Sequence, residues 1–318
     1  MKGKSLLTLL ILIPLVSCST NSEPLTRTVP CFNTYNYLTL YEETKADLNI
    51  IEQNFSYYDK LTDNYLERDV TNIYKINKTN KDVKVDEYLY NLLQLSMDLS
   101  EELPLFNPLC GGLAKKWKEA LKNSQILDEM TISSELEKIK TSTILFKENN
   151  TIQRVGEAQI DLGAITKGFV IDNASVYLAS YSCTKYLINA GYSSILLGEK
   201  PSDDGYFNVG ISSLNDGSYL RLKNCILSTS GVSEQGKEIN GVTYSHIVNP
   251  ITGSAINNYE SVRVVSNLGY LGDVLSTVMM MSSIDEIKAL ETKYRVKALA
   301  IKDKQIVYRN SELEVLKH

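Results

Sequence analysis

The sequence predicts an α+β fold, a mostly antiparallel sheet with interrupting helices. Three observations predict it. From Ile160 onward, short apolar runs separated by turn residues read as strands. Before and between them, apolar residues recur at helical spacing. No repeat period or low-complexity tract interrupts this texture.

Taken in order, Thr39 to Tyr41 reads as the end of a strand, and Leu48, Ile51 and Phe55 follow at helical spacing. Asp86 is placed as the N-cap of a second helix with Leu89, Leu92, Leu93, Ser96 and Leu99 on one face. Pro104, Pro108, Gly111 and Gly112 mark a turn-rich stretch before a third helix, which carries Trp117. A helix opens within "IDLGAITKGFVID" (160–172) and runs through Ala174, Tyr177, Leu178 and Tyr181. "YLINAG", "SILLG", "FNVGIS", "YLRLKN" and "CILSTSG" then read as strands. Asn240-Gly241 suits a type I′ hairpin turn and leads into the strand-like "VTYSHIVNP". "SVRVVS" is a further strand, followed by a helix from about Leu271. Ser283 and Glu286 match a capping box that opens another helix, and "VKALAI" and "QIVYR" close the chain as a hairpin around Asp303-Lys304.

At 318 residues the chain has room for one large domain or two small ones. Its 33 basic and 38 acidic residues include no basic block, so an electrostatic footprint for nucleic acid is missing. Only two histidines are present, His246 and His318, which excludes multi-histidine metal sites.

The first residues read as a targeting segment. "MKGKSLLTLLILIPLVSC" has a basic start and a short apolar core, too short for a typical spanning helix. Its Leu15-Val16-Ser17-Cys18 ending resembles the bacterial lipobox, which implies removal of residues 1–17, lipidation of Cys18 and an extracytoplasmic, membrane-anchored protein. An ordinary signal peptide with an incidental cysteine is the alternative. Residues 18–27 read as a polar tether, and 28–318 as the folded domain. Cys31, Cys110, Cys183 and Cys225 match no metal spacing; in an exported chain they could form two bridges in any of three pairings, but they read mainly as small buried apolar residues.

Four segments carry residues with chemical potential. In "IDLGAITKGF" a strand-to-helix junction offers unpartnered N–H groups to an anion, with Asp161, Lys167, Gly163 and Gly168 close by. Asp161 also suits an N-cap, and Lys167 a solvated side chain. In "GYLGDVLSTVMMM" Asp273 and Thr277 share one helix face, with Ser276 beside them, an oxygen set that suits Mg²⁺. An acid in a first helical turn also simply complements the dipole. His246 stands just before a Pro-Gly turn, where it suits either a base or a structural histidine. "LSTSG" (227–231) ends a strand in hydroxyls that suit a phosphate or a turn.

Together these segments resemble the ApbE family of FAD:protein FMN transferases. "DLGAITKG", "NAGYSS", "STSG", "SHIVNPITG" and "DVLST" follow the order of that family's motifs. Upstream, "CFNT", "FSYYDKLTD" and "LFNPLCGGLAKKWK" stand where the family has comparable segments. The resemblance runs from about Thr28 to the end and implies an ApbE-like, T-fold-like architecture, with one body or two subdomains left open. It further implies Mg²⁺-dependent cleavage of FAD, with transfer of FMN to a threonine hydroxyl of a target flavoprotein and release of AMP. Asp273, Ser276, Thr277 and the carbonyl of Ala164 would then hold the metal. Asp161 and Lys167 would contact FAD, while Phe32, Tyr58, Leu105, Phe106, Asn107 and Ile247 would line its pocket. His246 would activate the acceptor hydroxyl or steady the phosphate. Departures fall at Phe32-Asn33, Asn107, Ala164, Thr166, Tyr192-Ser193-Ser194 and Asn249. An FAD pyrophosphatase using the same site, or a lipid-anchored FAD carrier without turnover, are the competing functions.

Overall fold

The structure, a computed structural model, describes residues 23–232, 236–255 and 258–317. Residues 1–17 and Cys18 lie outside them. The chain opens with strands β1 (Leu25–Cys31) and β2 (Thr34–Leu40), then helices α1 (Leu48–Thr62) and α2 (Ile73–Ile76). Strand β3 (Asp82–Lys84) precedes helices α3 (Glu87–Glu102), α4 (Gly111–Lys122) and α5 (Glu129–Lys140). Strands β4 (Thr143–Lys147) and β5 (Thr151–Val155) lead to α6 (Thr166–Ser180). Strands β6 (Tyr186–Ala190), β7 (Ser194–Leu197), β8 (Phe207–Gly210), β9 (Ser218–Leu222) and β10 (Cys225–Gly231) follow. Next come the hairpin β11 (Lys237–Ile239) and β12 (Val242–Tyr244), then β13 (Ser261–Ser266). Helices α7 (Gly269–Met279) and α8 (Ile284–Tyr294) precede the closing strands β14 (Lys297–Lys302), β15 (Gln305–Arg309) and β16 (Val315–Lys317).

Eight strands form the central sheet in the order β1-β2-β6-β7-β10-β13-β14-β15, with each neighbouring pair antiparallel. The expected α+β class with a mostly antiparallel sheet is the one found. Alternation along the inner strands explains its layers. Leu196, Ile226, Val262, Val264, Ala298 and Ala300 face the main core with α1, α6 and α7. Ile195, Leu197, Leu227, Leu299 and Ile301 face the other way, against the small sheet β16-β9-β8. Strands buried on both faces need apolar residues at consecutive positions, which is why "SILL" and "ALAI" show no polar alternation.

Local signals place the helices. Asp86 accepts the Tyr88 N–H at 2.9 Å and caps α3, whose buried residues are Leu89, Leu92, Leu93, Ser96 and Leu99. Ser283 and Glu286 form a complete capping box on α8. Asn240 and Gly241 both take positive φ, as do Asp303 and Lys304 in the closing hairpin. Cys31, Cys110 and Cys183 are buried free thiols, and Cys225 is a half-buried one.

Some boundaries differ from expectation. Strand β1 begins at Leu25, inside the stretch read as tether, because its ladder to β2 extends to the Leu25–Leu40 pair. His246 lies in the loop after β12 rather than in a strand. Helix α6 starts at Thr166 with Ile165 as its N-cap residue, so Asp161 is not its cap.

Candidate functional site

The 160–168 turn is pinned from below by Ile160, Leu162 and Ile165, all buried. The Asp161 N–H donates to the Pro108 carbonyl at 2.8 Å. One Asp161 oxygen accepts the Gly163 N–H at 2.7 Å, an Asx-type closure, and the other accepts Asn64 Nδ2 at 2.8 Å. Asp161 thus shapes the turn that carries Ala164 and Lys167.

Two glycines let the next helices touch. A Cβ on Gly168 would collide with the Gly269 backbone, and one on Gly269 with that of Gly168. At this crossing the Gly168 N–H donates to Asp273 Oδ2 at 2.7 Å. The anion expected at the start of α6 is therefore the chain's own carboxylate, delivered by α7. Asp172, one turn further along α6, caps α7 by accepting the Gly269 and Tyr270 N–H groups at 2.6 and 2.9 Å. Burial pushes the Asp172 carboxyl up to about 6 against those two hydrogen bonds, with the nearby Asp273 charge adding to the rise. Replacing Gly168 with Ala is expected to force the helices apart and cost about 1–3 kcal/mol or more. Thermal unfolding of Gly168→Ala checks this; an unchanged melting temperature would contradict the close crossing.

Asp273 forms the centre of an oxygen-rich pole. Ser194 and Ser228 are paired across β7 and β10, which puts both hydroxyls on one face of the sheet. Both donate to Asp273 Oδ1 at 2.7 Å. Burial raises the Asp273 pKa, while the serine hydroxyls, the Lys167 charge and the Gly168 N–H favour the ionised form. On the same helix face, Ser276 and Thr277 donate to the Asp273 carbonyl at 2.9 and 3.2 Å. Ser230 Oγ lies 2.8 Å from Ser276 Oγ and 3.2 Å from Thr277 Oγ1. Asp273 is only 7% exposed and forms no ion pair among the described residues, so a buried carboxylate faces the cleft with neutral donors alone.

The opposite wall is built by the 245–255 loop. Trp117 Nε1 on α4 donates to the Gly253 carbonyl at 2.7 Å, and its ring stacks on Tyr244. Asn249 Oδ1 accepts the Ile251 and Thr252 N–H groups at 2.8 and 3.0 Å, closing the Pro-Gly turn. These anchors present His246 and Ile247 to the cleft. His246 Nδ1 is buried without a hydrogen-bond partner. Burial, with the Lys118 and Lys167 charges, holds the imidazole below its ordinary value of 6.5, opposed by Asp161. His246 is therefore neutral at pH 7 and able to take a proton.

One cleft of about 950 Å³ joins these groups. Phe32, Leu105, Phe106, Asn107, Asp161, Ala164, Lys167, His246, Ile247, Asp273, Ser276 and Thr277 all line it. Phe32 and Asn33 both take positive φ in the β1–β2 turn, and Asp59 accepts the Phe32 N–H at 2.6 Å. Asn107 Oδ1 accepts the Leu109 N–H at 2.9 Å, so this side chain stabilises its own turn.

Tyr58 is the exception. It is 0% exposed and belongs to the buried stripe Leu48, Ile51, Phe55, Tyr58 and Leu61 of α1. Helical spacing turns it into the core against Phe169 and Tyr88. Tyr65, just after the helix, lines the cleft instead, with Lys115 and Lys118 over its ring. Sequence reasoning also missed Lys118 and Asn64. It named Ser194 among the departures and Ser228 within "LSTSG", but gave neither its bond to Asp273. For Lys118, the residue after the conspicuous Trp117, the available signal was its place in "AKKWK".

An antiparallel sheet whose paired helices bring a carboxylate–hydroxyl pole, a lysine turn and a neutral imidazole to one cleft suits the binding of a phosphorylated ligand. The ApbE family model matches residues 32–300, and the chain belongs to that family. It is similar to the FAD:protein FMN transferase of Klebsiella pneumoniae, 28% identical over 261 residues that cover 78% of this chain and 79% of the relative. The protein of the same name from Treponema pallidum is 27% identical over 229 residues, which cover 65% of this chain and 63% of that relative. The alignment thus spans just under two thirds of the Treponema protein. Among solved structures, the ApbE protein of Thermotoga maritima shares the fold with a TM-score of 0.77. It is 22% identical over 91% of this chain and 97% of its own.

Proposed function

We propose that the chain transfers FMN from FAD to a threonine hydroxyl of a target flavoprotein and releases AMP. The observation that carries this reading is the meeting of the Lys167 turn and the Asp273 helix at one cleft, through the Gly168–Asp273 hydrogen bond. The cleft lies at the large end of ligand pockets, which run to roughly 1,000 Å³, as a dinucleotide requires. Lys118 and Lys167 line it without an ion pair among the described residues, leaving two cations to receive the diphosphate.

Asp273, Thr277, Ser276 and the Ala164 carbonyl would hold Mg²⁺. A buried carboxylate without an ion pair among the described residues, surrounded by hydroxyls, suits a hard cation that fills its remaining positions with phosphate and water. When bound, the ion neutralises the diphosphate and orients its two phosphates. Lys167 and Asp161 fix the nucleotide, and the aromatic and aliphatic wall of Phe32, Leu105, Phe106 and Ile247 receives the flavin. His246 accepts the proton of the acceptor hydroxyl. The freed oxygen bonds to the FMN phosphorus, and the bond from that phosphorus to the AMP oxygen breaks.

Incubation of the protein with FAD, Mg²⁺ and a threonine-bearing target flavoprotein tests this directly. The expected products are AMP and target protein carrying phosphoester-linked FMN in equal amounts. Free FMN and AMP without labelled target would indicate hydrolysis, and intact FAD a carrier; either result would overturn the transfer reading.

We place the protein on the extracytoplasmic side of a membrane, anchored through lipid on Cys18. The N-terminal segment read from the sequence supports this. Cys18→Ala protein is expected to leave the membrane fraction. Membrane retention of that variant would contradict the anchor.

A further inference from the structure

We propose that the cleft continues onto the β10–β13 ladder, in a second, phosphate-binding subsite built on Arg263. Arg263 sits on β13 between Val262 and Val264, both of which face the main core with α7. Alternation turns Arg263 to the other face of the sheet, toward β8, where one guanidinium nitrogen donates to the Gly210 carbonyl at 2.9 Å. The residue is only 6% exposed, yet it lines the cleft.

Its charge is uncompensated. Arg263 forms no ion pair among the described residues, and its Nε has no hydrogen-bond partner. Burial lowers its pKa to about 10, so the group remains a cation at neutral pH. A buried guanidinium without a carboxylate is costly unless something else supplies the anion. The four carboxylates that line the cleft, Asp59, Asp63, Asp161 and Asp273, belong to α1, the residues after it, the 160–168 turn and α7. Each is engaged elsewhere: Asp59 accepts the Phe32 N–H, Asp63 pairs with Arg68, Asp161 closes its own turn and Asp273 accepts the Ser194 and Ser228 hydroxyls.

The surroundings select the anion. Thr229 stands directly opposite Arg263 in the β10–β13 ladder. Ser261 lies two residues before Arg263 on the same strand, and its Oγ is 2.8 Å from Ser213 Oγ. Ser212 completes the group, and all four line the same cleft. A planar carboxylate held by the guanidinium fork has only two lone-pair sites left for these four hydroxyls. A tetrahedral phosphate has acceptor oxygens for both. Inorganic phosphate and the phosphomonoester of AMP share this chemistry; only the AMP source rests on the transfer reading above.

Isothermal calorimetry on the full chain, without FAD or metal, tests the subsite. Wild-type protein is expected to bind inorganic phosphate saturably, with affinity reduced at least about tenfold in Arg263→Met. Thr229→Val is expected to weaken it several-fold, and it decides the matter if Arg263→Met fails to fold. Lys167→Met, in the main lobe, is expected to retain the Arg263-dependent event. AMP binding more tightly than phosphate, with the gain lost in Arg263→Met, would assign the site to the nucleotide; equal affinity would assign it to free phosphate. Absence of saturable phosphate binding, or binding unchanged in both Arg263→Met and Thr229→Val, would overturn the proposal whether or not FMN is transferred.

Discussion

Asp273→Asn is expected to lower Mg²⁺-dependent turnover by about 10³-fold or more, the kinetic equivalent of several kcal/mol of lost charge stabilisation. The fold should survive. An asparagine oxygen can accept the Gly168 N–H, while its amide donates to the Ser194 and Ser228 oxygens, so each heavy-atom contact is kept with the two serine bonds reversed. Stability should even gain at neutral pH. Burial raises the Asp273 pKa above 3.8, so the folded chain holds this proton more tightly than the unfolded chain. That contribution is full below 3.8 and is lost as pH rises through the raised value. The neutral amide does not suffer this loss. Metal-free Asp273→Asn should therefore melt at or above the wild-type temperature at pH 7 while turning over FAD negligibly. Wild-type turnover in this variant would contradict the metal assignment.

The second large effect belongs to His246. Replacement by Gln is expected to slow transfer by about 10²–10⁴-fold, the usual scale for a lost general base, with FAD affinity little changed. The wild-type rate should fall only on the acid side, as pH drops through the lowered pKa of the imidazole. The same group bears on stability. Below about 6.5 the unfolded chain takes up a proton that the folded chain resists, so stability declines as pH falls from there toward the folded value. A pH–rate profile that loses its acid limb in His246→Gln would support the role, and one that keeps it at the wild-type rate would refute it.

The legibility of this protein in its sequence varied with the kind of signal. Elements fixed by local chemistry were readable: the Asp86 cap, the capping box at Ser283, the Asn240-Gly241 turn and the short apolar runs of β6 to β10 between turn residues. Residues 124–160 were not. Helix α5 buries only Glu135 and Ile139, so its apolar stripe is too thin to read, although β4 and β5 do meet at an Asn149-Asn150 turn with positive φ. The cleft residues named by motif all reached it except Tyr58. There the helical stripe of α1 decided the side-chain direction, and a motif match carries no information about which face a residue takes. Ser194, Ser228 and Arg263 owe their places to pairings between strands distant in sequence, which no local pattern encodes.

The central claim is that the Lys167 turn and the Asp273 helix serve one diphosphate. A crystal structure of the protein with a non-hydrolysable FAD analogue and Mg²⁺ measures this most directly. The expected result is a diphosphate lying between Lys167 and a metal held by Asp273 and Thr277, with His246 facing the FMN-side phosphorus. A diphosphate bound away from either segment would contradict it.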